Sequence, residues 1–163
     1  STANKADMVS EETYAKAVAQ MAELNRAGSE IAGKYDVHSI TDVTGFGLMG
    51  HTGEMANGGN VTAVIESANV PLLPEVLSLA EIGILPEGMY RNRNFAESFS
   101  ESAPNVTRAM MDVLFDPQTS GGLLLAVAEK DAPALLAELT DKVPHAARIG
   151  YVTEKQGCAV RVV

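Results

Sequence analysis

Residues 37–57 constrain the fold of this chain more than any other stretch, because they read as a strand that turns directly into a helix. An apolar approach containing Val37 and Ile40 leads into Thr41-Asp42-Val43-Thr44-Gly45-Phe46-Gly47-Leu48, a lone carboxylate among hydroxyls followed by two glycines. A helix-like stretch, Phe46 to Asn57, starts at once and is closed by Gly58-Gly59. A strand feeding a tight turn aims the free backbone N–H groups of the helix N-terminus, and the positive end of its dipole, at one place. Phosphate oxygens favour such a place. Asp42 stands where it could hold a cation beside that phosphate. It could equally serve as a turn or N-cap aspartate.

The rest of the chain interleaves helical and extended patterns. Ser10 is placed to cap a helix that begins with Glu11 and Glu12, and Tyr14, Val18, Met21 and Ala22 follow at helical spacing with Leu24 beside them. Gly28 marks the expected end of that helix. Val37 to Val43 is the first strand, and Val61, Ala63 and Ile65 alternate with polar residues as a half-buried strand does. Pro71 and Pro74 introduce a short helix through about Ile82. Gly83 to Ser102 reads as an irregular segment, Asn105 to Phe115 as a helix and Gly122 to Ala128 as a fully buried strand. Ala132 to Lys142 reads as a helix with Leu135, Leu136 and Leu139 on one face. Ala146 to Val152 and Cys158 to Val163 read as closing strands joined by a turn near Lys155-Gln156-Gly157. The expected fold is α/β (α+β), a single domain with a mixed sheet covered by helices.

Composition narrows the function. A formal net charge of −9 opposes wholesale binding to nucleic acid. A nucleotide remains compatible if a cation and backbone amides supply the positive charge. Cys158 is the single cysteine, so neither an intramolecular disulfide nor a Cys-rich zinc site can form, which fits a reducing cytoplasm. The longest strongly apolar run, Leu123 to Ala128, is far too short to span a bilayer, and no membrane association is expected.

A second polar cluster, Asp116-Pro117-Gln118-Thr119-Ser120-Gly121-Gly122, runs straight into Leu123-Leu124-Leu125. It is either a well-made turn or an anion-binding nest. His51 and Glu54, three apart on one helix, read as a solvated face more readily than as a metal pair lacking a third ligand. Arg91 and Arg93 either clamp phosphate or simply solubilise. Cys158 reads as a small apolar residue of an edge strand and not as a nucleophile.

Thr41 to Leu48, followed by Gly50-His51, closely resembles the motif of the selenophosphate synthetase (selenide, water dikinase) family. Asp116 to Leu124 is a second match at the right separation. Pro71-Leu72-Leu73-Pro74 and Gly88-Met89-Tyr90-Arg91-Asn92 are weaker ones between them. The resemblance covers essentially the whole chain but only the C-terminal half of the family's enzyme. The related superfamily includes aminoimidazole ribonucleotide synthase, formylglycinamidine ribonucleotide synthetase, thiamine monophosphate kinase and a hydrogenase-maturation protein. It pairs an N-terminal ATP-binding domain with a C-terminal α/β domain of this size. Ser1-Thr2-Ala3-Asn4-Lys5 is similar to the segment entering that second domain. Residues 1–9 are therefore expected to be a connector and residues 10–163 the C-terminal domain.

The resemblance implies that ATP, selenide and water give selenophosphate, AMP and orthophosphate, with Mg²⁺ neutralising the triphosphate. By position in the motifs, Asp42 is implied to be a Mg²⁺ ligand. Thr41, Thr44 and Gly45 are implied to lie beside the phosphates, with Thr119, Ser120 and Gly121 lining the same cleft. The family's glycine-rich ATP-binding segment, reactive Cys or selenocysteine, catalytic Lys and other Asp ligands belong to its N-terminal half and have no counterpart here. The expected partners are that N-terminal ATP-binding domain, ATP and selenide, in a full-length homodimer, and the isolated piece is expected to be inactive. Another ATP-dependent member of the superfamily and a non-catalytic binding module are the alternatives.

Overall fold

The computed structural model describes residues 2–143 and 145–163. A four-residue helix, α1 (Thr2–Lys5), precedes α2 (Glu11–Ala22). The Ser10 hydroxyl accepts from the Thr13 amide at 3.2 Å, and Glu11 and Glu12 occupy the first turn, where carboxylates meet the positive helix end. The helix stops at Ala22, short of the expected Gly28. That glycine is buried inside the next helix, α3 (Arg26–Ala32). A Cβ at Gly28 would stand 3.3 Å from Leu123 Cδ1, so the missing side chain serves close packing and not helix termination.

Strand β1 (Val37–Asp42) leads through the turn into α4 (Gly47–Gly58) and then β2 (Val61–Ile65). A 3-10 turn (Ser67–Asn69) and α5 (Val76–Glu81) follow. The segment expected to be irregular instead folds as α6 (Glu87–Ala96) and a short strand, β3 (Ser100–Ser102). Met89, Asn92 and Ala96 form the buried stripe of α6 at spacings of three and four. A polar residue in the middle of that stripe hides the periodicity. Helix α7 (Arg108–Leu114) starts later than expected because Thr107 caps it, accepting from the Met110 amide at 3.2 Å.

Strand β4 (Leu123–Val127), helix α8 (Ala132–Lys142) and strands β5 (Gly150–Glu154) and β6 (Val160–Val162) complete the chain. The fold class is the expected mixed α/β domain, with the strands divided between two sheets. β1 and β4 form an antiparallel ribbon in which Asp42 faces Leu123, Thr41 faces Leu124 and Ile40 faces Leu125. The other sheet runs β3-β6-β2-β5, with β2 antiparallel to β5 and parallel to β6. The closing strands thus flank β2 and do not pair with each other. Thr62, fully buried on β2, pins the connection between them: its hydroxyl donates to Cys158 O at 2.6 Å and accepts from the Gln156 amide at 2.9 Å. β4 is half-buried along its length and not fully buried as expected, because among the described residues it pairs with β1 alone.

The main core joins α4, α6 and α7 to the four-stranded sheet around Met49, Met89, Leu114, Val160 and Val162. A second cluster, Ile31, Leu135 and Leu139 with Leu125 and Val127, packs α3 and α8 on the ribbon. Burying such side chains is worth about 1.5–3 kcal/mol each, which holds both layers.

Candidate functional site

The β1–β4 register brings the two polar motifs together at one end of the ribbon. Beyond the paired strands, the Val43 amide donates to Gly122 O at 2.9 Å, the Gly121 amide to Val43 O at 2.9 Å and the Gln118 amide to Thr44 O at 3.0 Å. Gly47 completes the turn with φ +70°, and a Cβ there would stand 2.7 Å from Asp116 O, so both the backbone and the neighbouring motif require glycine. Asn92 of α6 fastens the pair: its buried amide donates to Gly45 O and to Phe115 O, each at 2.9 Å. The sequence offers Asn92 only as the end of the weaker match Gly88-Met89-Tyr90-Arg91-Asn92 and gives it no role, since 83–102 reads as irregular. One amide meeting the Gly45 carbonyl of the first motif and the Phe115 carbonyl just before the second is a signal only the fold displays.

At the rim, Asp42 is exposed and its carboxylate has no hydrogen-bond or ion-pair partner among the described residues. Thr41 and Thr44 are half-buried, and the Thr41 hydroxyl donates to Asp42 O at 3.2 Å. Gly45 is exposed, and a Cβ built on it would meet nothing within 4 Å. Its φ lies outside the left-handed region, so the fold of this chain does not demand a glycine there. The amides of Gly45 and Phe46 also have no partner among the described residues. Thr119 and Ser120 are exposed, with Ser120 held at φ +52°, while Gly121 is half-buried and its amide is committed to Val43.

His51 differs from its expectation. It is buried (8% exposed) and not part of a solvated face. Its Nε2 lies 3.2 Å from Thr44 Oγ1 and its Nδ1 lies 3.1 Å from Glu54 Oε2, while Phe46 packs edge-on against the ring at 5.8 Å. The Phe46 ring in turn stacks on Phe95 at 5.8 Å. Arg91 is paired with Glu87 and Arg93 with Asp112 at 2.9 Å, so neither guanidinium faces the motifs unengaged. Arg93 and Arg108 instead line a concavity of about 380 Å³ that contains no residue of Thr41–Leu48 or 116–122. Burial pushes the Asp116 carboxyl up to about 6 and raises the Cys158 thiol as well, which keeps Cys158 in its unreactive thiol form.

Whether the site suits Mg²⁺ can be judged from its donors. A free carboxylate, a neighbouring hydroxyl and a side-chain-free approach at Gly45 match a hard cation accompanying phosphate. No group of three His, Cys, Asp or Glu residues is arranged to hold a metal among the described residues. The donors therefore fit the ion only as a partial set, which would need further oxygens from elsewhere.

The family described as AIR synthase related protein, C-terminal domain, matches residues 1–163. The chain is 43% identical over 164 residues to selenide, water dikinase 2 of Peptoclostridium acidaminophilum, covering 100% of this chain and 47% of that protein. It is 41% identical over 154 residues to selenide, water dikinase of Clostridium botulinum (strain Eklund 17B / Type B), covering 94% and 45% respectively. The chain thus spans about half the length of the curated relatives it matches. A crystal structure of the hydrogenase maturation protein HypE in complex with ATP superposes with a TM-score of 0.57 at 23% identity, covering 88% of this chain and 37% of that one. That likeness concerns the fold. The chain belongs to the C-terminal domain family of the AIR-synthase-related proteins.

Proposed function

We propose that this chain is the C-terminal half of a selenide, water dikinase, which makes selenophosphate, AMP and orthophosphate from ATP, selenide and water. The observation that carries the reading is the convergence of Thr41–Leu48 and Asp116–Gly122 on one rim, where a carboxylate and amides without partners among the described residues stand beside an unfilled approach at Gly45. The relatives at 41–43% identity favour this chemistry over other ATP-dependent members of the superfamily and over a non-catalytic module.

In this reading Asp42 is a Mg²⁺ ligand, and Thr41, Thr44 and Gly45 lie beside the phosphates. Thr119, Ser120 and Gly121 line the same cleft, with Gly121 acting through its fixed backbone position. Mg²⁺, when bound, would neutralise triphosphate charge, on which in-line phosphoryl transfer depends. The amides of Gly45 and Phe46 are preorganised donors for a phosphoryl oxygen, and an oriented donor needs no rearrangement as charge moves. One carboxylate is too few for tight Mg²⁺–ATP binding, so an N-terminal ATP-binding domain is the necessary partner, within a cytoplasmic homodimer.

The test joins this chain to such an N-terminal half and follows selenide-dependent AMP formation. Asp42→Ala should lower turnover at least about 100-fold, as loss of a group stabilising transferred charge does. The isolated chain should produce no AMP. Unchanged turnover in Asp42→Ala, or turnover by the isolated chain, would refute the assignment.

A further inference from the structure

We propose that Glu54 and His51 are positioning residues that set the direction of the Thr44 hydroxyl, so that Thr44 meets the ligand of this loop as a hydrogen-bond acceptor and not as a donor. The identity of that ligand rests on the function proposed above; the side-chain relay does not.

A carboxylate can only accept, so the 3.1 Å contact between Glu54 Oε2 and His51 Nδ1 assigns the ring proton to Nδ1. In the neutral ring this leaves Nε2 with a bare lone pair, 3.2 Å from Thr44 Oγ1. The proton between those two atoms must then be the hydroxyl's own. Thr44 has spent its one hydrogen on His51, and its remaining lone pairs are what it offers elsewhere. Such an oxygen suits a divalent cation, or a water in the cation's shell, and offers nothing to a phosphate oxygen. Phosphate contact at the turn then falls to the Gly45 and Phe46 amides, while Asp42 and Thr44 form the cation-facing side.

The surroundings hold the relay in place. His51 is buried on α4, Phe46 packs edge-on against its ring, and Glu54 lies one turn further along the same helix. Thr44 precedes the helix, and the turn through Gly47 folds it back over the ring, the Gly47 amide donating to Thr44 O at 3.0 Å. Partners of this kind, bonded to the far nitrogen of a histidine, fix its tautomer and orientation.

The first measurement is the His51 tautomer by two-bond ¹⁵N–¹H correlation on the chain labelled at histidine, at about pH 8, where an ordinary imidazole is neutral. The Nδ1–H form should dominate in the native chain, and Glu54→Ala should shift the ring toward Nε2–H. An Nε2–H or imidazolium ring in the native chain, or a tautomer indifferent to Glu54→Ala, overturns the proposal. Glu54 is exposed, so its replacement leaves the core intact. The second measurement uses the chain joined to its N-terminal half. Glu54→Ala and His51→Leu should raise the Mg²⁺ concentration for half-maximal rate about 10-fold, with the KM for ATP unchanged. His51→Gln, which can still accept from Thr44, should restore it. A rise in the KM for ATP in place of the metal requirement overturns the acceptor assignment. Loss of the proposed dikinase activity would leave the tautomer result standing, so the two readings fail separately.

Discussion

Asp116 shows how one residue reports on the junction between the motifs. Burial lifts its carboxyl to about 6, above the ordinary aspartate value. The folded state therefore holds a proton that the unfolded chain has already released between about pH 4 and pH 6. Folding stability from this group is fully present below the unfolded value and is lost as pH rises through the folded one. Asp116→Asn should remove that decline and stabilise the chain at neutral pH by at most about 3 kcal/mol, the equivalent of the whole shift. Urea unfolding of both chains from about pH 4 to pH 8 measures it, and parallel pH profiles would refute it. The carbonyl of the same residue meets the space beside Gly47. Gly47→Ala combines a left-handed φ of +70° with a Cβ 2.7 Å from that oxygen and should cost more than about 2 kcal/mol. A loss below about 0.5 kcal/mol would mean that the turn relaxes freely.

At the scale of elements, α6 is the piece on which the site hangs. Asn92 supplies hydrogen bonds to the Gly45 carbonyl of the first motif and to the Phe115 carbonyl just before the second, and Asn92→Leu leaves the Phe115 oxygen buried without that donor. An unsatisfied buried carbonyl costs about 1–3 kcal/mol, so the variant should lose that much stability and speed amide exchange in residues 43–47. Exchange unchanged there would show that the strand-end hydrogen bonds suffice. The same residue explains why α6 was illegible. Met89, Asn92 and Ala96 have helical spacing, but an amide at the centre of the buried stripe breaks the hydrophobic signal, and Arg91, Arg93 and Asn94 mask the remainder. By contrast α2 was legible in its start, because Ser10, Glu11 and Glu12 are local signals, and illegible in its end, because Gly28 is explained by Leu123 far along the chain. At the candidate site, the order of carboxylate, hydroxyl and glycine singles out Asp42, Thr44 and Gly45 as neighbours in one turn, while their roles come from the resemblance. The burial of His51 escapes the sequence because its contact with Thr44 exists only after the turn closes.

Over the whole molecule, the site lies where two differently built layers meet. Val43 belongs to the main core with Met49 and Leu114, whereas Leu125 and Val127, further along the ribbon, pack on Ile31, Leu135 and Leu139. Helix and strand order announced an α/β domain, but the division into ribbon and four-stranded sheet depends on β2 entering between β5 and β6, which no local pattern encodes. This division has a mechanical consequence. The second cluster is small and covers a ribbon with no further strand beside it among the described residues, so it should open more readily than the main core. Leu139→Ala, a buried truncation, should cost about 2–5 kcal/mol if the layers unfold as one unit. If they open separately, the loss should fall on the ribbon: amides of β1 and β4 exchange faster while those of β2 and β6 keep their protection. The second outcome is expected, because β1 and β2 belong to separate sheets joined through α4. Residues 43–47 then decide how the site is held. Val43 and the Asn92 staple tie them to the main core, so their protection should follow β2 and not β1. Faster exchange at 43–47 in Leu139→Ala would instead make the ribbon the support of the site.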